Sequence, residues 1–367
     1  MNSPHFIEIL LIFSGIASLA YPVLLFITII FHKENFANQE LSTKGVSIII
    51  AAHNELTNLQ SFLPLILAQN YPLFEVIIAC DRCNDGSTEY LHSLNHPHLK
   101  VIEIHETTEG FNPKKYALDR AIAQSSYPWL LLTDADCYPA SEQWIKGMMQ
   151  GKSLKKIVIG LSFYKGPKSF LNRFIAFETL FTAMQYSAWT ILGKPYMAVG
   201  RNLLYAKELF INNSGFGKYA SHLGGDDDLL LQSISDKTNT TVCFNPSTFT
   251  YTPPPKGFKA WWKQKHRHLN AGKQYPLAVL AGLSFYPFFS IVYYAISLVY
   301  INSLEIPIVI VLYILRTCIF IITFAGVSQK WKISIFWPLL PVLEIYYLFY
   351  LMFAGLYNLA VPIKKWK

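Results

Sequence analysis

Residues 6–31 read FIEILLIFSGIASLAYPVLLFITIIF, an apolar run whose one charge, Glu8, lies near its start. A helix of this length spans a hydrocarbon core of ~30 Å. The run lacks the positive leading segment, short apolar core and small-residue cleavage site of a signal peptide, so it reads as a retained anchor. A second apolar block follows from about residue 276 to 361, with spans expected at about 277–301, 305–326 and 337–361. Between the blocks lies a stretch of ordinary polarity, long enough for one α/β domain with its own core. Only 15% of the residues are charged, against about 25% in soluble chains, and the apolar blocks account for the deficit. The expected organisation is an anchor over 1–35, a globular domain over 36–252, an interfacial segment over 253–275 and a membrane region over 276–367, with about three spans in the last. The polar stretch 36–45 reads as a linker.

Charge near the membrane gives an orientation. HKENF after the first run is mildly basic and suits a cytosolic flank, as do two lysines in Ser328–Lys332 and three in Lys364–Lys367. Three spans after a cytosolic domain cannot place both of the last two on the cytosolic side, which leaves the final segment, with Pro338, Pro341 and Glu344, as a span or a re-entrant piece. The net charge of +8 fits anionic headgroups and a phosphate-rich substrate. No basic stripe with interleaved aromatics forms a nucleic-acid module, so nucleic acid is not expected as a partner. The cysteines, Cys80, Cys83, Cys137, Cys243 and Cys318, are odd in number and irregular in spacing, which argues against a disulfide framework and fits a cytosolic domain. The lone C-x-x-C pair, Cys80 and Cys83, has no second pair to complete a zinc site.

Strand and helix alternate at short spacing in the middle of the chain. VSIIIAAHNE, FEVIIAC, LKVIEIH and WLLLTDAD read as strands, with helices over 56–69, from Ser87 or Thr88 as N-cap, and over 113–124 with Pro113 at the first position. This pattern predicts a mostly parallel sheet covered by helices on both faces. Ligands bind such sheets beyond the carboxyl ends of the strands, where His53, Glu55, Asp81 and Asp134 to Asp136 fall. Residues 168–193 form a long aromatic-rich helix, read either as packing or as lying along an acceptor channel or the membrane surface. Trp261 and Trp262, beside Lys and Arg, read as interfacial.

Three motifs carry chemistry. Thr133-Asp134-Ala135-Asp136 delivers two acids to a sheet edge, where a hard divalent cation is the natural partner. Gly224-Gly225-Asp226-Asp227-Asp228-Leu229 places acids before an apolar helix; it reads as a general base, or as a charge cluster favoured by the helix dipole. In Gln264-Lys265-His266-Arg267-His268, Gln264 and Arg267 share a helix face, and Arg suits bidentate contact with a diphosphate.

The order of these motifs resembles the family-two inverting glycosyltransferases, membrane-bound relatives of the cellulose, chitin and hyaluronan synthases, over about residues 46–275. The resemblance implies a GT-A (Rossmann-like) α/β fold with a mostly parallel sheet, flanked by transmembrane helices. It implies a nucleotide-sugar donor, with uridine diphosphate the commonest carrier, and Mg²⁺ or Mn²⁺ as cofactor. Ala52, His53 and Glu55 would border the base, Asp81 would hold base or ribose, and Lys114 or Lys115 would approach the donor. Asp134 would contact ribose or diphosphate and Asp136 would bind the metal. The base would be Asp226 when aligned on Asp228-Leu229, or Asp227 when aligned on the acidic pair. Gly200, Arg201 and Asn202 resemble the acceptor-side loop. Gln264, Arg267 and His268 match the Q-x-x-R-W motif except that His268 replaces its Trp, which argues against processive synthesis. The expected activity is metal-dependent transfer of one or few sugars to a lipid or glycan acceptor, by an integral protein of a bacterial plasma membrane with its catalytic domain in the cytosol. A processive synthase of the same superfamily is the alternative. A nucleotidyl- or phosphotransferase would not need the later motifs, a scaffold would not keep unpaired acids at strand ends, and few intramembrane charges argue against a transporter.

Overall fold

The computed structural model describes residues 3–34, 44–152, 155–300 and 306–361. Most of the 36–45 stretch and the lysine-rich tail lie outside the described residues. In chain order the elements are α1 (Ser3–Phe31), β1 (Val46–Ala52), α2 (Leu56–Leu67), β2 (Phe74–Asp81), α3 (Ser87–Ser93), β3 (Leu99–Ile104), α4 (Pro113–Ala123), β4 (Trp129–Leu132), β5 (Tyr138–Pro139), α5 (Trp144–Gly151), β6 (Ile157–Gly160), β7 (Ser162–Tyr164) and α6 (Phe170–Ile191). There follow β8 (Leu203–Ala206), α7 (Lys207–Asn212), α8 (Asp228–Ile234), β9 (Thr240–Cys243), β10 (Thr250–Thr252), α9 (Phe258–Gly272), α10 (Leu277–Tyr300), α11 (Ile306–Lys330) and α12 (Leu340–Ala360). They divide into two compact units: Met1–His32, Ser169–Ala188 and Tyr275–Pro362 form one, and the remainder forms the other.

The second unit is built on a seven-stranded sheet ordered β3-β2-β1-β4-β8-β6-β9. β1 and β2 are buried on both faces, as their β-branched runs require of a parallel sheet covered by helices. β3, β2, β1 and β4 run parallel, β8 runs antiparallel to β4 and β6, and β9 is parallel to β6. The reversed strand matters for chemistry. Its register pairs Leu132 with Leu203. The residues that follow β4 and those that precede β8 therefore emerge at the same sheet edge. A smaller sheet, β5-β10-β7, continues beyond that edge.

Two local expectations are corrected. Neither Ser87 nor Thr88 caps α3: the helix begins at Ser87, behind a left-handed Gly86, and the Asp85 carboxylate accepts from the Ser87 N–H and hydroxyl at 3.1 and 2.5 Å. Asp85 reaches the free amide first because the left-handed glycine turns the chain back over it. Trp261, expected at a lipid surface, is 2% exposed, so its ring is packed inside protein.

The first unit contains α1, α10, α11 and α12. The stretches Phe6–Phe31, Leu277–Val299, Val309–Lys330 and Trp337–Asn358 are each long and apolar enough to cross a membrane. The last segment is one continuous helix rather than a broken one. Within this unit Phe177 and Phe181 of α6 pack on Phe324 and Tyr347. Lys330 donates to the carbonyls of Ile29, Ile30 and His32 and so closes the end of α1. Arg316 and Glu344 form an ion pair at 2.6 and 2.9 Å, both side chains at most 2% exposed. Ser18, Ser290, Tyr286 and Tyr294 satisfy their remaining bonds, so all four helices contribute to one polar knot.

Candidate active site

The site gathers at the carboxyl edge of the large sheet. The loops after β1 and β2 are stitched together there. Asn54 and Arg82 hold left-handed backbone at φ 57° and 49°, uncommon for residues with a Cβ and typical of loops held for a purpose. The His53 Nδ1–H donates to the Asp81 carbonyl, the Asn84 N–H to Asn54 Oδ1 at 2.9 Å, and the Leu56 N–H to Asp85 Oδ2 at 2.9 Å. Asn54 and Asp85 were not singled out from sequence, although Asn before a helix and Asp before Gly are turn signals. Ala52 ends β1 and accepts from the Cys83 thiol at 3.6 Å. Glu55 sits just before α2 and accepts from Asn58 at 2.6 Å. The Asp81 side chain, 3% exposed, is held in a bidentate pair by Arg82 at 2.8 Å.

Past β4, Asp134, Asp136 and Cys137 bring their ligand atoms within 4.8 Å of one another. Burial, reinforced by repulsion from Asp134, raises the Asp136 pKa above its ordinary value. Burial also pushes the Cys137 thiol well up, and it donates to Asp136 Oδ1 at 3.3 Å. Two crowded carboxylates and a protonated thiol form a hard oxygen donor set, which fits Mg²⁺ or Mn²⁺ and does not fit a thiolate-bound metal.

The acids of the second motif reach the same edge. Consecutive Gly224 and Gly225 adopt φ 81° and 73°, a turn only glycine takes readily, and it aims Asp226 back across the sheet end. Lys114, in the first turn of α4, bridges Asp134 Oδ1 at 2.9 Å and Asp226 Oδ2 at 2.7 Å. Burial alone would raise the Asp226 pKa; Lys114 outweighs it and holds the carboxyl below its usual value. Asp227 behaves oppositely. Burial, then repulsion from Asp228 and Asp226, lifts it well above its usual value. Both its oxygens are occupied, by the Gly200 N–H at 2.7 Å and the Asp228 N–H at 2.8 Å, so it straps the start of α8 to the loop before β8.

The structure also separates the two lysines. Lys115 is fully buried and donates to the carbonyls of Tyr219 and His222 at 2.6 and 3.1 Å, which anchors the loop leading to Asp226. Asn202 is likewise internal. Its Oδ1 accepts from Trp144 Nε1 at 2.9 Å, and its Nδ2 donates to Leu161 and Thr248 carbonyls at 2.8 Å, which leaves no amide atom for a ligand. Its neighbour Arg201 does reach the site edge. Its guanidinium lies over the Tyr164 ring at 4.8 Å, with Nη1 buried and unpartnered. Tyr164 donates to Gln264 Oε1 at 3.3 Å, and Arg267, on the same helix as Gln264, holds a buried Nε without a partner. Two unpaired guanidinium donors beside an acid cluster are an unmet demand for an anion. His268, next to Arg267 on that helix, is exposed. Tyr164 carries no signal in sequence, since an aromatic in a short strand reads as core.

Comparison with known proteins gives the family and the fold. Residues 47–210 match the model described as Glycosyl transferase family 2. That matched stretch is a family 2 glycosyltransferase domain. A probable glycosyltransferase of Bacillus subtilis, YdaM, is 25% identical over 252 residues, covering 64% of this chain and 57% of that one. The poly-beta-1,6-N-acetyl-D-glucosamine synthase of Staphylococcus epidermidis is 32% identical over 114 residues, covering 29% of this chain and 27% of that one. The chain thus spans little more than half the length of the first of these relatives. Among solved structures, the mannosyltransferase PcManGT of Pyrobaculum calidifontis, in complex with GDP-Man and Mn²⁺, superposes with a TM-score of 0.64 at 19% identity, over 96% of this chain and 99% of that one. The transferase domain therefore has the GT-A fold expected from its motifs.

Proposed function

We propose that this protein is a membrane-bound inverting glycosyltransferase that moves a sugar from a nucleoside diphosphate sugar to a lipid or glycan hydroxyl. The observation that carries the reading is the convergence of Asp134 and Asp226, from motifs far apart in sequence, on the single ammonium of Lys114. The mannosyltransferase of like fold was solved with GDP-Man and Mn²⁺, which supports a nucleotide-sugar donor and a divalent cation. Asp134 and Asp136 would hold that cation, which offsets charge on a leaving diphosphate. The loop residues Ala52, His53, Glu55 and Asp81 border the nucleotide. Arg201 and Arg267 offer their free N–H groups to the diphosphate. Asp226, ionised and with one face toward the site, takes the proton of the acceptor hydroxyl as it attacks the anomeric carbon opposite the leaving group. Asp227, bonded through both oxygens to backbone, positions it. The four long apolar helices support a membrane location, and the basic flanks of the first and third spans favour a cytosolic transferase domain.

A second reading, a processive synthase, is supported by the likeness to the staphylococcal synthase. His268 in place of an aromatic platform favours transfer of one or few sugars.

The test is turnover of a nucleotide-sugar panel by the purified full-length protein in detergent, with Mn²⁺ or Mg²⁺. One donor is expected to release its nucleoside diphosphate in a metal-dependent way, and Asp136→Ala to abolish this. Asp226→Asn should lower kcat by about 10²–10⁴-fold with little change in donor KM, whereas Asp227→Asn should act through stability first. Product length on a supplied acceptor separates single transfer from polymerisation. Turnover that survives Asp136→Ala and Asp226→Asn together would overturn the assignment.

A further inference from the structure

Lys114 has an arrangement that donor contact alone does not account for. Its ammonium sits between Asp134 and Asp226 with its side chain only 17% exposed. The backbone behind it is pinned. Asn112 caps α4 by accepting from the Lys115 N–H at 3.3 Å, the Asn112 N–H donates to Ala220, and Lys115 ties down Tyr219 and His222. A lysine is ordinarily free to sweep several ångströms. Here both the helix start and the loop carrying Asp226 are held, so the bridge is set by the fold.

A divalent cation at Asp134 and the Lys114 ammonium compete for one carboxylate, and they repel each other across it. A nucleoside diphosphate changes the balance, because its phosphates offer Lys114 another anionic partner at the same sheet edge. On the reading of the site given above, we infer that Lys114 is an internal counter-ion that excludes the divalent cation from Asp134 until a nucleoside diphosphate draws the ammonium away. The same movement releases Asp226 from its ion pair. Metal loading and readiness of the base are thereby both tied to the arrival of the donor, and a metal-loaded, donor-free enzyme is disfavoured. Lys114 in this role positions the site rather than touching the reacting atoms.

The measurement is Mn²⁺ binding to the full-length protein in detergent, read by the loss of free-Mn²⁺ electron paramagnetic resonance signal, with and without UDP or GDP. The wild type should bind Mn²⁺ weakly alone and at least about tenfold more tightly with the nucleotide it accepts, one charge-assisted hydrogen bond being worth about that factor. Lys114→Met should bind Mn²⁺ alone about tenfold more tightly than the wild type and should lose most of the nucleotide effect. Lys114→Arg, which keeps the cation, should retain the wild-type pattern, and tighter Mn²⁺ binding by Lys114→Met is a gain that misfolding cannot produce. Equal Mn²⁺ affinity of the wild type and Lys114→Met without nucleotide, with the nucleotide effect intact in both, overturns the counter-ion role and leaves the transferase reading standing. No Mn²⁺ bound by the wild type with either nucleotide, or binding unaltered by Asp136→Ala, overturns the metal site itself and the counter-ion role with it.

Discussion

At the scale of single residues, the chemistry is divided by small differences in environment. Adjacent Asp226 and Asp227 share a motif, yet one faces an ammonium and the other two backbone amides. The sequence could not choose between them because alignment on the acidic pair and alignment on Asp228-Leu229 point to different residues. Only the Gly224-Gly225 turn decides which carboxylate faces Lys114. The choice between Lys114 and Lys115 has the same character: neighbours on a helix diverge by about 100°, and only the position of the 219–222 loop tells which one is inside. Cys83 gives a residue-level prediction. A hydrogen bond from the Cys80 thiol outweighs burial and brings Cys83 to about 7, while Cys80 is pushed up by that same contact and by burial. The thiolate is the reactive form, so iodoacetamide labelling of Cys83 should rise as pH climbs through about 7 and flatten above it, with Cys80 unlabelled. Peptide mass spectrometry checks this. A midpoint near the free-thiol value of ~8.5, or equal labelling of both cysteines, would contradict it.

At the scale of elements, strands were the legible part. Apolar runs rich in Val, Ile and Leu admit little besides a buried strand, and β1, β2 and β4 fall where those runs do, while β3, half-exposed at the sheet edge, shows itself by alternation instead. The reversal of β8 was not legible, because Leu203–Ala206 is four apolar residues with no mark of direction. It is this reversal that carries Arg201 to the acids and turns Asn202 inward. Asn202 then ties α5, the β6–β7 junction and the turn before β10. Gly160 leaves the room, since a Cβ there would lie 2.3 Å from Asn202 Nδ2. Asn202→Ala should cost about 3–5 kcal/mol, since Trp144 Nε1 and the Thr248 carbonyl are left without partners, while the Leu161 carbonyl keeps its bond from the Thr250 N–H. A thermal melt in detergent is the check. A variant that melts like the wild type but shows a raised acceptor KM would restore Asn202 to the binding surface.

At the scale of the whole molecule, the membrane unit was legible as lengths but not as a set of partners. Hydropathy marks helices; it says nothing of which polar atoms meet. Arg316 and Glu344 lie in separate apolar runs, and their pairing needs the bundle. An ion pair in such a place is costly to break from one side: Arg316→Leu or Glu344→Leu should each destabilise the unit by about 3–5 kcal/mol, and the double variant should recover much of it. Fluorescence-detected size-exclusion chromatography after heating would read this, and additive losses in the double variant would rule out the pairing. The cap that Lys330 places on the end of α1 adds a constraint of time. The two are 301 residues apart. At about 5–20 residues per second, a ribosome needs roughly 15–60 s to deliver the lysine after the first helix has emerged. Throughout that interval the transferase domain is made while the anchor's final carbonyls still await their partner, so water must serve a helix end that the finished protein serves with its own side chain.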